Sequence, residues 1–271
     1  MNVRAAIFVG MLVWYVGAFC SVGAELPASS ISKSKWVVLQ TGTDGKTWVE
    51  GDAALADQPY TPASTFKVLI AWAGLEEGKA NPSTLHRVAD KHVPGAPREL
   101  SMTEAMFYSS NDYFIWLAGQ VGRDRLDAYL LRSGWVRGAF PKDWLGKEWD
   151  RVERGGNLTI TPRQNHDFMR GVASGHFASS SRVQADLLAA MRWPSDREDL
   201  RLYGKSGTAG GAVWFNGFAD TAKGRQVVTV FMPGGLELRV QVIGKFYECF
   251  GLHFKTEWLA SPDLTPDIHK K

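Results

Sequence analysis

With 271 residues the chain can form one large domain or two small ones, and its 45% hydrophobic and 22% charged residues are ordinary for a globular protein. This composition excludes a disordered chain and a fibrous one. A formal net charge of +3, spread over scattered basic residues with no run beyond Lys270-Lys271, argues against nucleic acid as a partner.

The N-terminus reads as a secretory signal. Arg4 supplies the positive start, Ala5 to Ala18 is an apolar stretch too short to span a bilayer comfortably, and Val22-Gly23-Ala24 offers small residues for cleavage. Removal of residues 1–24 lowers the net charge to +2, since Arg4 is the only charge among them. The expectation is an exported, periplasmic protein with no stable membrane anchor after cleavage, and a single domain over residues 25–271. Cys20 leaves with the signal. Cys249 is then alone, without an internal disulfide partner, and its apolar surroundings from Val242 to Phe250 predict a buried, inert thiol.

Trp36 to Gln40 reads as a strand, Asp44-Gly45 as a turn and Lys46 to Val49 as the returning strand. Phe66 to Leu75 is apolar on every side around Lys67, which predicts a helix buried inside the protein, ended by Glu76-Glu77-Gly78. The middle, about residues 79–200, is helical in character. Ser101 to Glu104 forms a capping box, and helical spacing runs over Arg123–Leu131, Thr161–Val172 and Arg182–Met191. Ser133 to Gly156, rich in Gly, Trp and charge, reads as loop. Strands return at Arg201–Ser206, Val213–Ala219 and Arg225–Met232, and Arg239–Phe250 closes as an amphipathic helix. The pattern predicts an α/β protein of the α+β type. Its antiparallel sheet is built from both chain ends and flanked by helices, and a helical subdomain is inserted at about 79–200.

Three short elements carry chemistry. In Ser64-Thr65-Phe66-Lys67 the serine and lysine stand at i and i+3, on one face of a helix. A serine is a weak nucleophile until a base takes its proton, and a lysine held in an apolar helix loses its preference for the charged form. Ser30-Ile31-Ser32-Lys33 and Ser32-Lys33-Ser34-Lys35 share the spacing but lie in a polar lead-in and carry no such meaning. In Ser109-Ser110-Asn111 a hydroxyl suits proton relay and an amide suits a substrate carbonyl, although Ser-Ser-Asn is also common capping material. In Lys205-Ser206-Gly207-Thr208 a cation and hydroxyl at a strand end suit a carboxylate, and the glycine lets a ligand approach the backbone. The six histidines show no metal-ligand spacing, and no Gly-x-Ser-x-Gly elbow or phosphate loop is present. His166-Asp167 and His253 read as surface or satisfied core residues.

In this order the three elements resemble the penicillin-binding protein and β-lactamase superfamily. Pro62 to Lys67 resembles the active-site segment of class D (OXA-type) serine β-lactamases nearly letter for letter. Gly204 to Thr208 followed by Trp214 to Phe218 is similar to that family's third motif and next strand. Leu158 to Pro162 with Gln164 and Phe168 resembles its helix after an Ω-like loop, and Leu236 to Arg239 with a helix ending at Phe250-Gly251-Leu252 its C-terminal segment. The resemblance implies a β-lactamase/transpeptidase-like fold and a small-molecule β-lactam substrate. It assigns Ser64 as the acylated nucleophile, Lys67 as general base in the form of N6-carboxylysine, and Ser109 as proton shuttle. Lys205, Ser206 and Arg239 would hold the substrate carboxylate, the N–H groups of Ser64 and Thr208 would form the oxyanion hole, and Asn111 and Gly207 would line the substrate site. No metal or organic cofactor is implied; carbon dioxide or bicarbonate would carboxylate Lys67.

Two features depart from the class D pattern. Asn111 stands where that family has an apolar residue, and an amide there resembles penicillin-binding D,D-peptidases and non-hydrolysing β-lactam sensor domains, which remain alternatives. The family's Tyr-Gly-Asn element is replaced by Gly134-Trp135-Val136-Arg137-Gly138, and the tryptophan that steadies a carboxylated lysine is placed at Trp149, ahead of Trp144. Glu153 and Asn157 share the spacing of the class A pair that holds the deacylating water. The class D character of the following segment makes this pair fortuitous.

Overall fold

The computed structural model describes residues 35–137, 140, 143–145 and 158–260. The expected signal segment and Gly138, Trp149, Glu153 and Asn157 lie outside them. A hairpin opens the described chain, β1 (Val37–Thr41) and β2 (Thr47–Gly51), turned by Gly45 at φ 77° with the Asp44 carboxylate accepting from Lys46 N–H at 3.0 Å. Two short 3-10 helices follow, Ala53–Asp57 and Ala63–Phe66, and the second runs directly into α1 (Lys67–Glu76). Every residue from Lys67 to Leu75 is buried, as an all-round apolar helix requires.

The segment expected to be helical also contains a two-stranded sheet, β3 (His86–Val88) antiparallel to β4 (Arg98–Leu100). Strands of three residues are too short for alternation to show in sequence. The helices of this region are α2 (Met102–Tyr108), α3 (Asn111–Val121), α4 (Arg123–Arg132), α5 (Pro162–Ser174) and α6 (Ser181–Ala190). Capping boxes start α2 (Ser101 with Glu104) and α5 (Thr161 with Gln164), and Pro162 takes the first helical position of α5. The chain then forms β5 (Arg192–Trp193), β6 (Arg201–Ala209), β7 (Ala212–Thr221), β8 (Gly224–Pro233), α7 (Arg239–Glu248) and α8 (Glu257–Ala260).

The main sheet is antiparallel with strand order β2-β1-β8-β7-β6-β5, so strands from both ends of the chain lie side by side. Its register decides which side chains meet which helix, because residues directly opposite share a face. Ser206, Phe215, Val230 and Val38 form one row across four strands, and Phe215 packs on Phe246 of α7 with ring centroids 4.2 Å apart. The rows on either side face the other way. Gly207, Trp214, Phe231 and Val37 form one of them, and Lys205, Asn216, Thr229 and Leu39 the other. This second face meets α5 and the turn that carries Ser64: Trp214 Nε1 donates to Thr61 O at 2.9 Å, and Asn216 Nδ2 to Asn165 Oδ1 at 2.7 Å.

Cys249 follows α7 partly buried, its thiol pointing to Lys245 O at 3.2 Å, and burial pushes its pKa up to about 11. The raised pKa favours the protonated thiol, while the side chain is only partly covered where the sequence predicted full burial. Among the described residues no helix is long and apolar enough to cross a membrane.

Gly204 and Gly217 sit opposite each other on the paired strands β6 and β7, against the ring of Phe215. A Cβ at Gly217 would stand 2.2 Å from Tyr203 O and 2.9 Å from Gly204 Cα. Because backbone must move to admit it, Gly217→Ala is expected to lower stability by about 3 kcal/mol. The check is urea denaturation, with a lower midpoint at unchanged slope.

Candidate active site

Ser64 lies inside the 3-10 turn Ala63–Phe66, 5% exposed. The preceding Ala63 holds φ 47°, a left-handed conformation that costs a non-glycine residue about 1–3 kcal/mol and persists only where its surroundings enforce it. Several contacts enforce it. Ala63 N–H donates to Thr61 Oγ1 at 3.3 Å, Thr65 donates to Pro62 O through its N–H at 3.1 Å and through its hydroxyl at 2.6 Å, and Trp214 holds Thr61 O. The turn thereby presents Ser64 one helical step before Lys67.

Lys67 Nζ is fully buried and lies 2.9 Å from Ser64 Oγ, 3.0 Å from Ser109 O, 3.4 Å from Ser109 Oγ and 2.6 Å from Asn111 Oδ1. The structure thus brings together four residues of two sequence motifs. A neutral lysine amine has two hydrogens and one lone pair. In that form Nζ can donate to Asn111 Oδ1 and Ser109 O and accept the Ser64 hydroxyl proton.

The Ser109-Ser110-Asn111 segment divides its work between structure and chemistry. Ser109 caps the C-terminus of α2 at φ 63°, which turns its carbonyl and hydroxyl toward Lys67. Ser110 is the N-cap of α3, accepting from Tyr113 N–H at 3.1 Å and donating to the Asp90 carboxylate. Asn111 is the first residue of α3, and its N–H is tied to Asp90 Oδ1 at 3.0 Å while its side chain reaches Lys67. Asp90 and His92 were not anticipated from sequence. His92 Nε2–H donates to Ser109 O at 3.1 Å, the same carbonyl that accepts from Lys67. Both come from the connection between β3 and β4, whose brevity hid them.

The third motif arrives on β6. Gly207 is where the strand touches the Ser64 turn: a Cβ there would lie 3.0 Å from both Ser64 N and Thr65 N. Lys205 is buried on the same face and donates to Ser206 O at 2.7 Å. Ser206 points the other way, and Arg239 at the start of α7 reaches its Oγ over 3.4 Å. Burial holds the Arg239 guanidinium below its ordinary pKa. The Thr208 hydroxyl is buried with no partner among the described residues. The β6 motif therefore stands beside the serine, with a second cation at its outer edge.

Trp144 does not approach this site as a support for the lysine; its Nε1–H donates to Asp127 Oδ1 at 2.7 Å on α4. Trp149, ranked ahead of it, lies outside the described residues. Trp135 is buried against Phe168 of α5 with centroids 4.8 Å apart. Among the described residues no group of three or more His, Cys, Asp or Glu side chains is arranged to hold a metal ion.

This serine–lysine pair, flanked by a Ser-x-Asn turn and a Lys-Ser-Gly strand, stands in a fold shared with penicillin-recognising proteins. Matching it over residues 38–238, the chain belongs to the penicillin-binding protein transpeptidase domain family. Within that family its similarities run to class D β-lactamases. YbxI of Bacillus subtilis, named a probable β-lactamase, is 27% identical over 190 residues, and the match spans 64% of each chain. The β-lactamase OXA-10 of Pseudomonas aeruginosa is 24% identical over 233 residues, 76% of this chain and 83% of its own. Among solved structures, the class D β-lactamase of Bacillus subtilis superposes with a TM-score of 0.69 at 23% identity, covering 83% of this chain and 94% of that one. The class D β-lactamase BAT-2 gives 0.71 at 20% identity with the same coverage.

Since Gly207 leaves no room for a side chain against the Ser64 and Thr65 amides, Gly207→Ala should displace the nucleophile. Displacements of this kind slow reaction by roughly 10–100-fold. Stopped-flow labelling of Ser64 with a fluorescent penicillin measures this directly, and labelling at the unmodified rate would contradict it.

Proposed function

We propose that this protein hydrolyses β-lactams through an acyl enzyme at Ser64, with Lys67 as the base. The observation that carries the reading is the 2.9 Å contact between Lys67 Nζ and Ser64 Oγ inside a buried site. Its β-lactamase relatives support the same substrate class.

In this reading the Ser64 proton passes to Lys67 Nζ as Oγ attacks the lactam carbonyl carbon. The lactam C–N bond then breaks, and the nitrogen receives a proton from Lys67 by way of Ser109 Oγ. The ring opens without losing an atom, so the acyl enzyme carries the full mass of the drug. Lys205 and Arg239 attract the substrate carboxylate, with Ser206 hydrogen-bonding it, and the Ser64 and Thr208 N–H groups stabilise the oxyanion.

Deacylation needs a base for water, and here Asn111 matters. Carboxylation of Lys67 leaves a single N–H for two acceptors, Asn111 Oδ1 and Ser109 O, which lie 2.6 and 3.0 Å away. It also requires space, and the cavity beside Lys67, lined by Phe66, Ile70, Asn111, Phe114, Ile115 and Ala118, is about 10 Å³, room for no more than one water. Lys67 in this reading serves acylation of Ser64 as an uncarboxylated amine, and its conversion to N6-carboxylysine must displace the Asn111 amide. The same contact favours a second reading, a D,D-peptidase or sensor-like domain whose acyl enzyme persists.

Time-resolved intact mass after penicillin separates these readings. Hydrolysis predicts an adduct that appears and decays with turnover, lost altogether in Ser64→Ala. A single stoichiometric adduct that outlasts the experiment would establish the second reading instead. Asn111→Val is expected to raise the carboxylated fraction of Lys67 and the bicarbonate-dependent hydrolysis rate. The carbamate signal from carbon-13 bicarbonate measures it, and an unchanged signal would contradict the role given to Asn111.

A further inference from the structure

A chain of buried polar side chains crosses the protein behind the active site, and the direction of each hydrogen bond in it can be assigned. Thr65 Oγ1–H donates to Pro62 O, so Thr65 Oγ1 must accept from Asn165 Nδ2–H at 3.2 Å. The Asn165 side-chain oxygen and backbone carbonyl both accept from Asn216 Nδ2, at 2.7 and 2.9 Å. That leaves Asn216 Oδ1 to accept from the Thr229 hydroxyl. Thr229, its one hydrogen spent, accepts from His166 Nδ1–H at 3.0 Å. His166 Nε2 is then an acceptor for the Thr41 hydroxyl at 2.7 Å, and Thr41 Oγ1 accepts from Thr47 at 2.7 Å.

The chain is directed one way from Thr47 at the surface to Pro62 O at the nucleophile turn. Thr65, Asn165, His166, Asn216 and Thr229 are each at most 1% exposed. Two of its members occupy the cross-strand row that contains Lys205, with Asn216 directly opposite it on β7 and Thr229 opposite Asn216 on β8. None of these residues has a place in the proposed chemistry. Yet the chain ends on the turn where Ala63 holds its left-handed φ of 47°, one residue before Ser64.

We propose that Asn165, Asn216, Thr229 and His166 are positioning residues, which act through Thr65 to lock the Pro62–Thr65 turn in the strained conformation that aims Ser64 at Lys67. The proposal rests on the reading of Ser64 as an acylated nucleophile. A hydrogen-bond chain with fixed direction suits this role better than an apolar filling, because each member has one rotamer and one tautomer that complete it. Burial, with the nearby positive charges of Arg170 and Arg163, drives the His166 pKa down to about 3. His166 therefore stays neutral at working pH, as the chain requires.

Two measurements test this. Long-range proton–nitrogen NMR of the wild-type protein labelled at histidine, with the signal assigned by its loss in His166→Asn, should show the Nδ1–H tautomer, unchanged from pH 5.5 to 8. An Nε2–H tautomer, or titration within that window, would overturn the directed chain. Stopped-flow acylation by a fluorescent penicillin should show Thr65→Val and Asn165→Leu slowed about tenfold or more in the acylation step, with the dissociation constant of the initial complex unchanged. Thr65→Ser, which keeps the hydroxyl, should retain the rate. Equal rates in Thr65→Val and the wild type, or equal loss in Thr65→Ser and Thr65→Val, would overturn the positioning role. A wild-type protein that takes no adduct at all would overturn the acyl-enzyme reading instead, while the tautomer would still decide the direction of the chain.

Discussion

An amine buried in an apolar helix must find acceptors, since a buried polar group without a partner costs about 1–3 kcal/mol and a buried charge more. Lys67 is that amine, and the architecture around it is organised by its demand. The left-handed end of α2 supplies Ser109 O, the first residue of α3 supplies Asn111 Oδ1, and the lysine's own turn sets Ser64 Oγ 2.9 Å away. The acceptors named here are neutral oxygens. A helix that would otherwise be pure core thus carries one reactive nitrogen at its start, aimed at one hydroxyl.

The sheet serves this arrangement from behind. Antiparallel register places Gly207, Trp214 and Asn216 on the face that meets the nucleophile turn and α5, while Ser206 faces α7 and Arg239. One strand therefore touches the nucleophile through a glycine and presents its hydroxyl to the second cation one residue earlier. The strain at Ala63 is held by backbone and side-chain contacts from three directions: Thr61 and Thr65 within the turn, Trp214 from β7 and Asn165 from α5. Such over-determination is what keeps an unfavourable φ in place at a reactive residue.

Much of this was readable in sequence because it depends on local pattern. The apolar run after Ser64, the capping box at Ser101, the helical spacing from Thr161 and the glycine-bounded strands near the C-terminus each follow from composition within a few residues. What was not readable depends on long-range register or on very short elements. The β3–β4 hairpin has three residues per strand, and with it Asp90 and His92 escaped notice. Asn165 left a faint signal: it shares the spacing of Phe168, Met169 and Val172 on the buried face of α5, a polar residue in an apolar stripe. Asn216 and Thr229 left none, since a polar residue in a strand shows its parity only once the register is known. Ser110 is a case of two readings both holding within one motif. It is capping material, while its neighbours Ser109 and Asn111 hold the lysine.

The proposed reaction needs Lys67 to take the proton of Ser64, and replacing the amine by an apolar side chain of similar length removes that base. Lys67→Met should keep native circular dichroism and leave Ser64 unmodified by penicillin over hours, as read by intact mass and peptide mapping. Acylation of Ser64 in Lys67→Met at the wild-type rate would contradict the account.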